Sequence, residues 1–331
     1  MEGSFSFFVL FVLGLAFGSF LNVVALRYSP EKQVFSLKRI SGRSCCPKCK
    51  RTLRWYELLP LVSFVFLRGR CRTCRGKISW QYPIVELLSG LIFISVPFYF
   101  ARFFGIGDLF FFRPELWEFY AFVLVWIVVF WFLLLMSIID IRHYIIPNAV
   151  NLVLLVLGGV SVFLKMFSGG WLLSFQQSFV GSYSVLFSLF PELVEGIHYG
   201  IGSPSILQLA DSGNIVLGHI IGFLIGGFFF WAVYSLTRRK GIGFGDVKLG
   251  FALGFFLGWP DILFAMLFAF IVGGAWGVGV LIARKIGSPS INSGTTLKSR
   301  LPFGPFFAIG TAMVVFAGHS ILQWYFGLFN A

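Results

Sequence analysis

Two aspartates stand at the ends of apolar segments, where a carboxyl group is costly and is therefore a candidate for function. Asp140 closes one apolar run, and Asp246 opens another within a glycine-rich stretch that contains Gly243, Gly245 and Lys248. Two carboxyl groups in a site of low dielectric share one proton, so one can act as base and the other as acid on a single water. The pattern predicts a hydrolytic pair whose active-site loop holds the two glycines and the lysine. The glycines would allow close backbone approach and unusual dihedral angles, and so admit an extended peptide.

Each aspartate also has a purely structural interpretation. Asp140 could pair with Arg142 or His143 at a helix end, and Asp246 could be the N-cap of a helix, where aspartate is favoured. A further alternative is an ion-coupled membrane transporter that uses both acids as an ion pathway. The sequence shows no inverted repeat and no pair of broken midplane helices, which such transporters often have. A non-enzymatic assembly factor is the third class to be considered.

All five cysteines fall in one basic segment, and four of them form two C-x-x-C pairs separated by 21 residues. This spacing predicts a structural zinc site with four thiolate ligands: Cys46, Cys49, Cys71 and Cys74. A reducing cytosol argues against two disulfides, which leaves free thiols as the alternative. Gly76 follows the second pair, as tight turns often require. Cys45 is left over because Cys46 gives the cleaner spacing.

The composition identifies the class of protein. Hydrophobic residues make up 58% of the 331 residues and charged residues only 12%, with a mean hydropathy of +0.88. A soluble chain could not bury so much apolar surface, so we expect an all-α polytopic membrane protein. Runs of about 20 apolar residues predict about eight transmembrane helices: 5–26, 83–104, 119–139, 149–166, 215–237, 247–259, 262–283 and 303–327. The sixth is short and rich in glycine, so it is either tilted or only partly spanning.

The charge map predicts the topology. Of the 26 Lys and Arg residues, 23 fall in alternate loops on one side and three on the other, namely Arg102, Arg113 and Lys165. The positive-inside rule makes the first side cytoplasmic and places both termini outside. Both aspartates then lie at the cytoplasmic face of the membrane.

The predicted domains follow from this map. Residues 1–26 form the first transmembrane helix, 27–82 a small cytoplasmic zinc-binding loop domain between helices 1 and 2, and 83–331 a membrane-embedded core. An extracytoplasmic insertion is expected at about 167–214. The lipid bilayer is a partner, whereas no nucleic acid is expected, since the positive-inside rule already explains the net charge of +13.

The motifs, taken in order, resemble the type IV prepilin peptidases, the prepilin leader peptidase/N-methyltransferases among the GxGD-type membrane aspartic proteases. The similarity lies in the first-helix segment Gly18–Arg27, the two C-x-x-C pairs, the segment Ile78–Leu88, the two aspartate segments, and Leu301–Gly310 in the last helix. These segments span nearly the whole chain in the family's order.

The resemblance implies that Asp140 and Asp246 are the catalytic pair and that the four paired cysteines bind zinc. It also implies cleavage of the short basic leader from type IV prepilins or pseudopilins at the cytoplasmic membrane face, followed in many members by N-methylation with S-adenosylmethionine. No Gly-rich dinucleotide fingerprint marks the cofactor site. Glu57 and Glu86, at the edges of the loop domain, could position an amine or the cofactor, or could serve only in a salt bridge or cap. Asn148 stands where many members have a second aspartate.

Overall fold

The computed structural model describes residues 2–29, 42–104, 106, 116–167, 215–238, 241–285 and 302–327. Within these ranges the chain is nearly all helical, and the extended pairing between described residues consists of isolated bridges, Cys45–Thr52 and Arg70–Lys77. Eight long helices, here α1 to α8, make up the fold: Glu2–Arg27, Gln81–Phe103, Trp117–His143, Asn148–Phe167, Ile215–Leu236, Phe244–Leu257, Asp261–Lys285 and Gly304–Gly327. The predicted fold class is confirmed, since every predicted apolar segment coincides with one of these helices.

Six of the eight, α1 to α5 and α7, are long and apolar enough to cross a membrane. Helices suit this environment because their backbone groups hydrogen-bond within the segment and need no water. Helix α8 contains a shorter apolar stretch, Gly304–Gly318. Helix α6 has 14 residues, or about 21 Å at 1.5 Å per residue, less than the roughly 30 Å hydrocarbon core. The expectation of a short sixth helix is therefore correct, whereas the predicted insertion beyond Phe167 lies outside the described residues.

The chain divides into two compact units, Met1–Ile139 and Asp140–Ala331. In the first unit, small residues let α1 and α2 approach closely. A Cβ atom on Gly14 would come within 2.8 Å of the Gly90 Cα, and the Ser89 hydroxyl donates to the Gly14 carbonyl at 2.7 Å. Such small-residue contacts are a common means of helix association in membranes.

In the second unit, close contacts between glycines likewise hold the short helix α6 against α5. Gly222 and Gly226 on α5 face Gly254 and Gly250 on α6, and a Cβ on any of the four would collide with the opposite backbone. The N-terminal turn of α6, which carries Asp246, is thereby held against the scaffold of this unit.

Candidate active site and candidate metal centre

Asp140 lies in the last turn of α3 and is only 4% exposed. Its Oδ2 accepts a hydrogen bond of 2.9 Å from the backbone N–H of Gly304, the first residue of α8. The first N–H groups of a helix have no partner within the helix, and the helix dipole there favours negative charge. The structure thus seats the Asp140 carboxyl at the N-terminus of the last helix.

Asp246 lies in the first turn of α6, which begins at Phe244. Its Oδ2 accepts a 3.0 Å hydrogen bond from the N–H of Gly243, the N-cap residue. The structural alternative that made Asp246 itself the N-cap is wrong by three residues, because the helix begins earlier than the apolar run suggested. Asp246 nevertheless satisfies an N-terminal donor, as an acidic residue at this position commonly does.

The two aspartates belong to the same unit, and the charge of Asp140 acts on the Asp246 carboxyl. Gly245 lets the start of α6 lie close to the α3–α4 connection, because a Cβ at this position would lie 3.1 Å from the Cβ of Ile146. Gly243 has φ −77° and ψ 152°, an ordinary extended conformation, and Gly245 is not among the glycines with positive φ. The glycines therefore provide space, as expected, whereas the expectation of unusual dihedral angles was wrong.

Lys248 joins the start of α6 to the start of α4. Its Nζ donates to Asn148 Oδ1 at 2.8 Å and lies 5.2 Å from the centroid of the Phe244 ring. The partner of the lysine is thus the neutral amide of Asn148. This contact holds together the two helix N-termini next to the aspartates.

The two C-x-x-C pairs form turns of matching geometry. In the first, the Cys46 N–H donates to the Arg51 carbonyl and the Lys50 N–H to the Cys46 carbonyl. The second repeats both bonds, from Cys71 to Gly76 and from Arg75 to Cys71. Lys50 and Arg75, at equivalent positions, have φ of +58° and +54°. The chain therefore presents two knuckles of the same shape.

Gly76 corrects one expectation about these turns. The left-handed conformation falls on Arg75, not on Gly76. A Cβ on Gly76 would come within 2.5 Å of the Lys48 side chain and 3.3 Å of the Cys74 Sγ. Glycine therefore leaves room here for the Lys48 side chain and the Cys74 thiol, and its backbone freedom is not used.

The four predicted cysteines converge, with all their Sγ atoms within 4.8 Å of one another. The Cys46 and Cys74 Sγ atoms are 3.9 Å apart, close to the roughly 3.8 Å edge of a zinc tetrahedron with 2.3 Å bonds to sulfur. Cys45 is exposed and lies outside the cluster. The donor set and its geometry fit a tetrahedral metal ion.

The protonation behaviour of these thiols also favours a cation. Hydrogen bonds from the backbone of Cys74 and Thr73 lower the pKa of the Cys71 thiol to about 6. A hydrogen bond from the Arg51 backbone acts to lower the pKa of Cys49, but desolvation and the neighbouring thiols raise it to about 11. Thiolates this close repel one another, and a bound metal ion would remove that penalty.

Glu57 closes the loop around the first knuckle. Its Oε2 accepts the Arg54 N–H at 2.8 Å, and its Oε1 pairs with Arg51. The Arg54 backbone and the Arg51 guanidinium lower the pKa of this carboxyl, so it stays ionised. Glu86, on α2, is 7% exposed and its Oε2 accepts the Leu61 N–H at 2.8 Å. Both glutamates belong to the first compact unit, whereas the two aspartates belong to the second.

Sequence reasoning missed Gly304 and a buried polar cluster. Gly304 lies in the last-helix motif, where glycine before proline at a helix start was the available signal. The Lys165 Nζ lies 3.2 Å from His219 Nε2, and His219 Nδ1 is 2.7 Å from the Phe255 carbonyl. The charge of Asp261 acts on Lys165, and both residues are buried. Lys165, His219 and Asp261 are far apart in the sequence, and no spacing among them signals a site.

Comparisons with known proteins find matches along most of the chain. Residues 12–100 match the bacterial peptidase A24 N-terminal domain, and residues 127–204 and 200–278 match the type IV leader peptidase family. The chain is 28% identical over 338 residues to a prepilin leader peptidase/N-methyltransferase of Aeromonas hydrophila, covering 96% of this chain and 93% of the relative. Proteins of the same description from Pseudomonas aeruginosa and Bacillus subtilis are 29% and 26% identical, over 95% and 96% of this chain and 91% and 96% of theirs. No solved structure matches the chain.

Proposed function

Because this chain belongs to the type IV leader peptidase family, we propose that Asp140 and Asp246 form the catalytic pair of its peptidase activity. One observation carries the proposal. Each carboxyl is held by a backbone N–H at a helix N-terminus of one compact unit, and the charge of one acts on the other. Two acids placed in this way cannot both ionise easily, which is the arrangement that hydrolysis by an acid pair requires.

The proposed mechanism begins with one proton on the pair and a water held between the two acids. The ionised carboxylate takes a proton from the water, and the water oxygen attacks the scissile carbonyl. The protonated partner gives its proton to the carbonyl oxygen, and a proton then passes to the leaving amine as the C–N bond breaks. Oδ2 of each acid is engaged with Gly243 or Gly304. We assign the water contact to the two Oδ1 atoms.

The proposed substrates are type IV prepilins or pseudopilins, and the bond cut is the one that follows their short basic leader. The 23-to-3 division of Lys and Arg supports a cytoplasmic position for both aspartates and the loop domain. A reporter fused after residue 60 should be active in the cytoplasm, and one fused near residue 190 should report the outside. The opposite signals would invert the topology and separate the aspartates from a cytoplasmic leader.

We propose that the metal of the loop domain is zinc and that its role is structural. Cys46, Cys49, Cys71 and Cys74 would fill all four tetrahedral positions, which leaves none for a catalytic water. Bound zinc would supply the positive charge that lets four thiolates lie together and would fix the two knuckles relative to each other. The described part of this loop domain has few buried apolar side chains, so a metal is its most effective scaffold.

We further propose that this chain methylates the new N-terminal amine with S-adenosylmethionine, as the relatives' description implies for them. The loop domain is our proposed location for that step. Both oxygens of Glu57 are engaged with Arg51 and Arg54, so it would act by fixing the loop. Glu86, on α2, would act by accepting the Leu61 N–H and so fixing this part of the loop domain to α2.

The test is a cleavage assay on detergent-purified protein with a peptide that carries a leader and an apolar helix. Products are read by mass spectrometry with and without S-adenosylmethionine, which separates cleavage from methylation. Asp140→Asn and Asp246→Asn should each lower the rate by a factor of roughly 10³ or more, because one acid cannot be both base and proton donor. Glu118→Gln, at the other end of α3, is the matched control and should cleave normally. Near-normal cleavage by either aspartate variant would refute the assignment.

A further inference from the structure

A cluster of exposed apolar side chains lies in the loop domain, outside both the aspartate site and the cysteine cluster. It is centred on a short helix, Val62–Phe66, between the two knuckles. Phe66 is 83% exposed, Val65 70% and Trp80 70%. The Trp80 ring lies 5.0 Å from that of Phe64, which connects it to the short helix. We call this set the apolar face, and its members are Leu58, Leu59, Val62, Val65, Phe66 and Trp80.

The position of the apolar face along the membrane helix α2 fixes its depth. Glu86 lies five residues after the first residue of α2, or about 7–8 Å along its axis, and accepts the N–H of Leu61, just before the short helix. On α2 itself, Ile84, Leu87 and Leu88 are exposed apolar residues at the same level. An interfacial helix buries its apolar side roughly 5–10 Å into the headgroup and acyl boundary. The short helix is therefore level with the membrane interface.

The surroundings of the apolar face are strongly basic. Residues 42–80 contain ten Lys and Arg against one acid, Glu57, and that acid is buried and paired with Arg51. Arg68 and Arg70 follow the short helix directly and are exposed, and the Arg70–Lys77 bridge brings a third cation beside them. Apolar side chains beside a cluster of cations are the combination that binds an anionic leaflet.

We propose that the apolar face is a membrane-docking surface that inserts into a leaflet containing anionic phospholipid. The lipid is favoured over a prepilin leader, since a basic leader would be repelled by the same cations. Docking would orient the loop domain through the side chains of the short helix and Trp80, in addition to its covalent link to α2. Tryptophan at this level agrees with the aromatic belt of membrane proteins.

Photo-cross-linking in vesicles tests the proposal directly. The full-length protein is prepared with p-benzoylphenylalanine in place of Phe66, or in place of Thr73, an exposed residue of the second knuckle. The vesicles contain phosphatidylcholine with or without phosphatidylglycerol, and adducts are identified by mass spectrometry. We expect lipid adducts at position 66 and few at position 73. The share of phosphatidylglycerol among the lipid adducts should exceed its share of the vesicle lipid by about twofold or more.

Two further arms decide the identity of the partner. Arg68→Gln combined with Arg70→Gln should bring the phosphatidylglycerol share down to its bulk value while lipid adducts at position 66 persist. Adding the leader peptide should leave those adducts unchanged. Equal lipid yields at positions 66 and 73, or adducts with the peptide or a second copy of the chain, would overturn the proposal. Cleavage is not a readout here, so the outcome is independent of the proposed catalytic pair.

Discussion

Replacing Lys165 with methionine would test whether opposite charges in the buried cluster of Lys165, His219 and Asp261 stabilise the folded protein. Lys165 is 4% exposed, His219 0% and Asp261 8%, and they come from α4, α5 and α7. Asp261 Oδ1 makes no hydrogen bond among the described residues. The charge of Lys165 acts on this carboxyl. Methionine keeps the length and packing of the side chain but removes the cation.

The expected cost of Lys165→Met is about 3–5 kcal/mol in the free energy of unfolding, because an uncompensated charge stays buried. An independent limit comes from protonating an ordinary carboxyl at pH 7, which costs about 4 kcal/mol. Asp261→Asn should cost a similar amount by removing the negative charge that acts on the buried lysine. The double variant Lys165→Met/Asp261→Asn should return to within about 1.5 kcal/mol of the native protein, because neutral replacement of a buried pair is often tolerated. The coupling free energy would then be at least about 2 kcal/mol.

Unfolding in mixed micelles with increasing dodecyl sulfate, followed by circular dichroism, measures these differences. Arg102→Met removes a cation from an exposed position at the end of α2 and should change stability by less than about 0.5 kcal/mol. Single variants that each cost less than about 1 kcal/mol, or costs that simply add in the double variant, would show that Lys165 and Asp261 are not an interdependent pair.

Two further predictions concern the site and the loop domain. Gly245→Ala should reduce the cleavage rate by about 10- to 100-fold, because its Cβ would push Ile146 away and misplace Asp246. The matched control is Gly159→Ala, whose Cβ would have no atom within 4 Å. Equal cleavage rates for the two variants would show that the close approach of Gly245 to Ile146 does not matter. Cys46→Ser should lose zinc and impair methylation more than cleavage, whereas the exposed Cys45→Ser should do neither. Full methylation by a zinc-free preparation would separate the metal from that step.

The sequence predicted those features that depend on local patterns. Apolar runs located all eight helices, since backbone satisfaction in lipid leaves few alternatives to a helix. The spacing of Cys46 and Cys71 within their pairs predicted the cluster, because a C-x-x-C turn brings both its thiols to one side. The sequence did not predict features that depend on tertiary contacts. Nothing local to Lys165 identifies His219 as its neighbour, and nothing local to Gly76 shows that the Lys48 side chain lies beside it.

Each of the two proposed catalytic acids accepts a hydrogen bond from a backbone N–H at a helix N-terminus, although one acid lies at the start of its own helix and the other at the end. This difference explains why the last helix matters to the site. Asp246 lies at the N-terminus of its own helix, where a negative charge is favoured. Asp140 lies at the C-terminus of α3, where the helix dipole opposes a carboxylate, and the N-terminus of α8, through Gly304, offsets that effect. Pro305 follows Gly304 and its fixed φ suits the first turn of a helix. A motif that is distant in sequence from both aspartates thus completes the electrostatic balance between them.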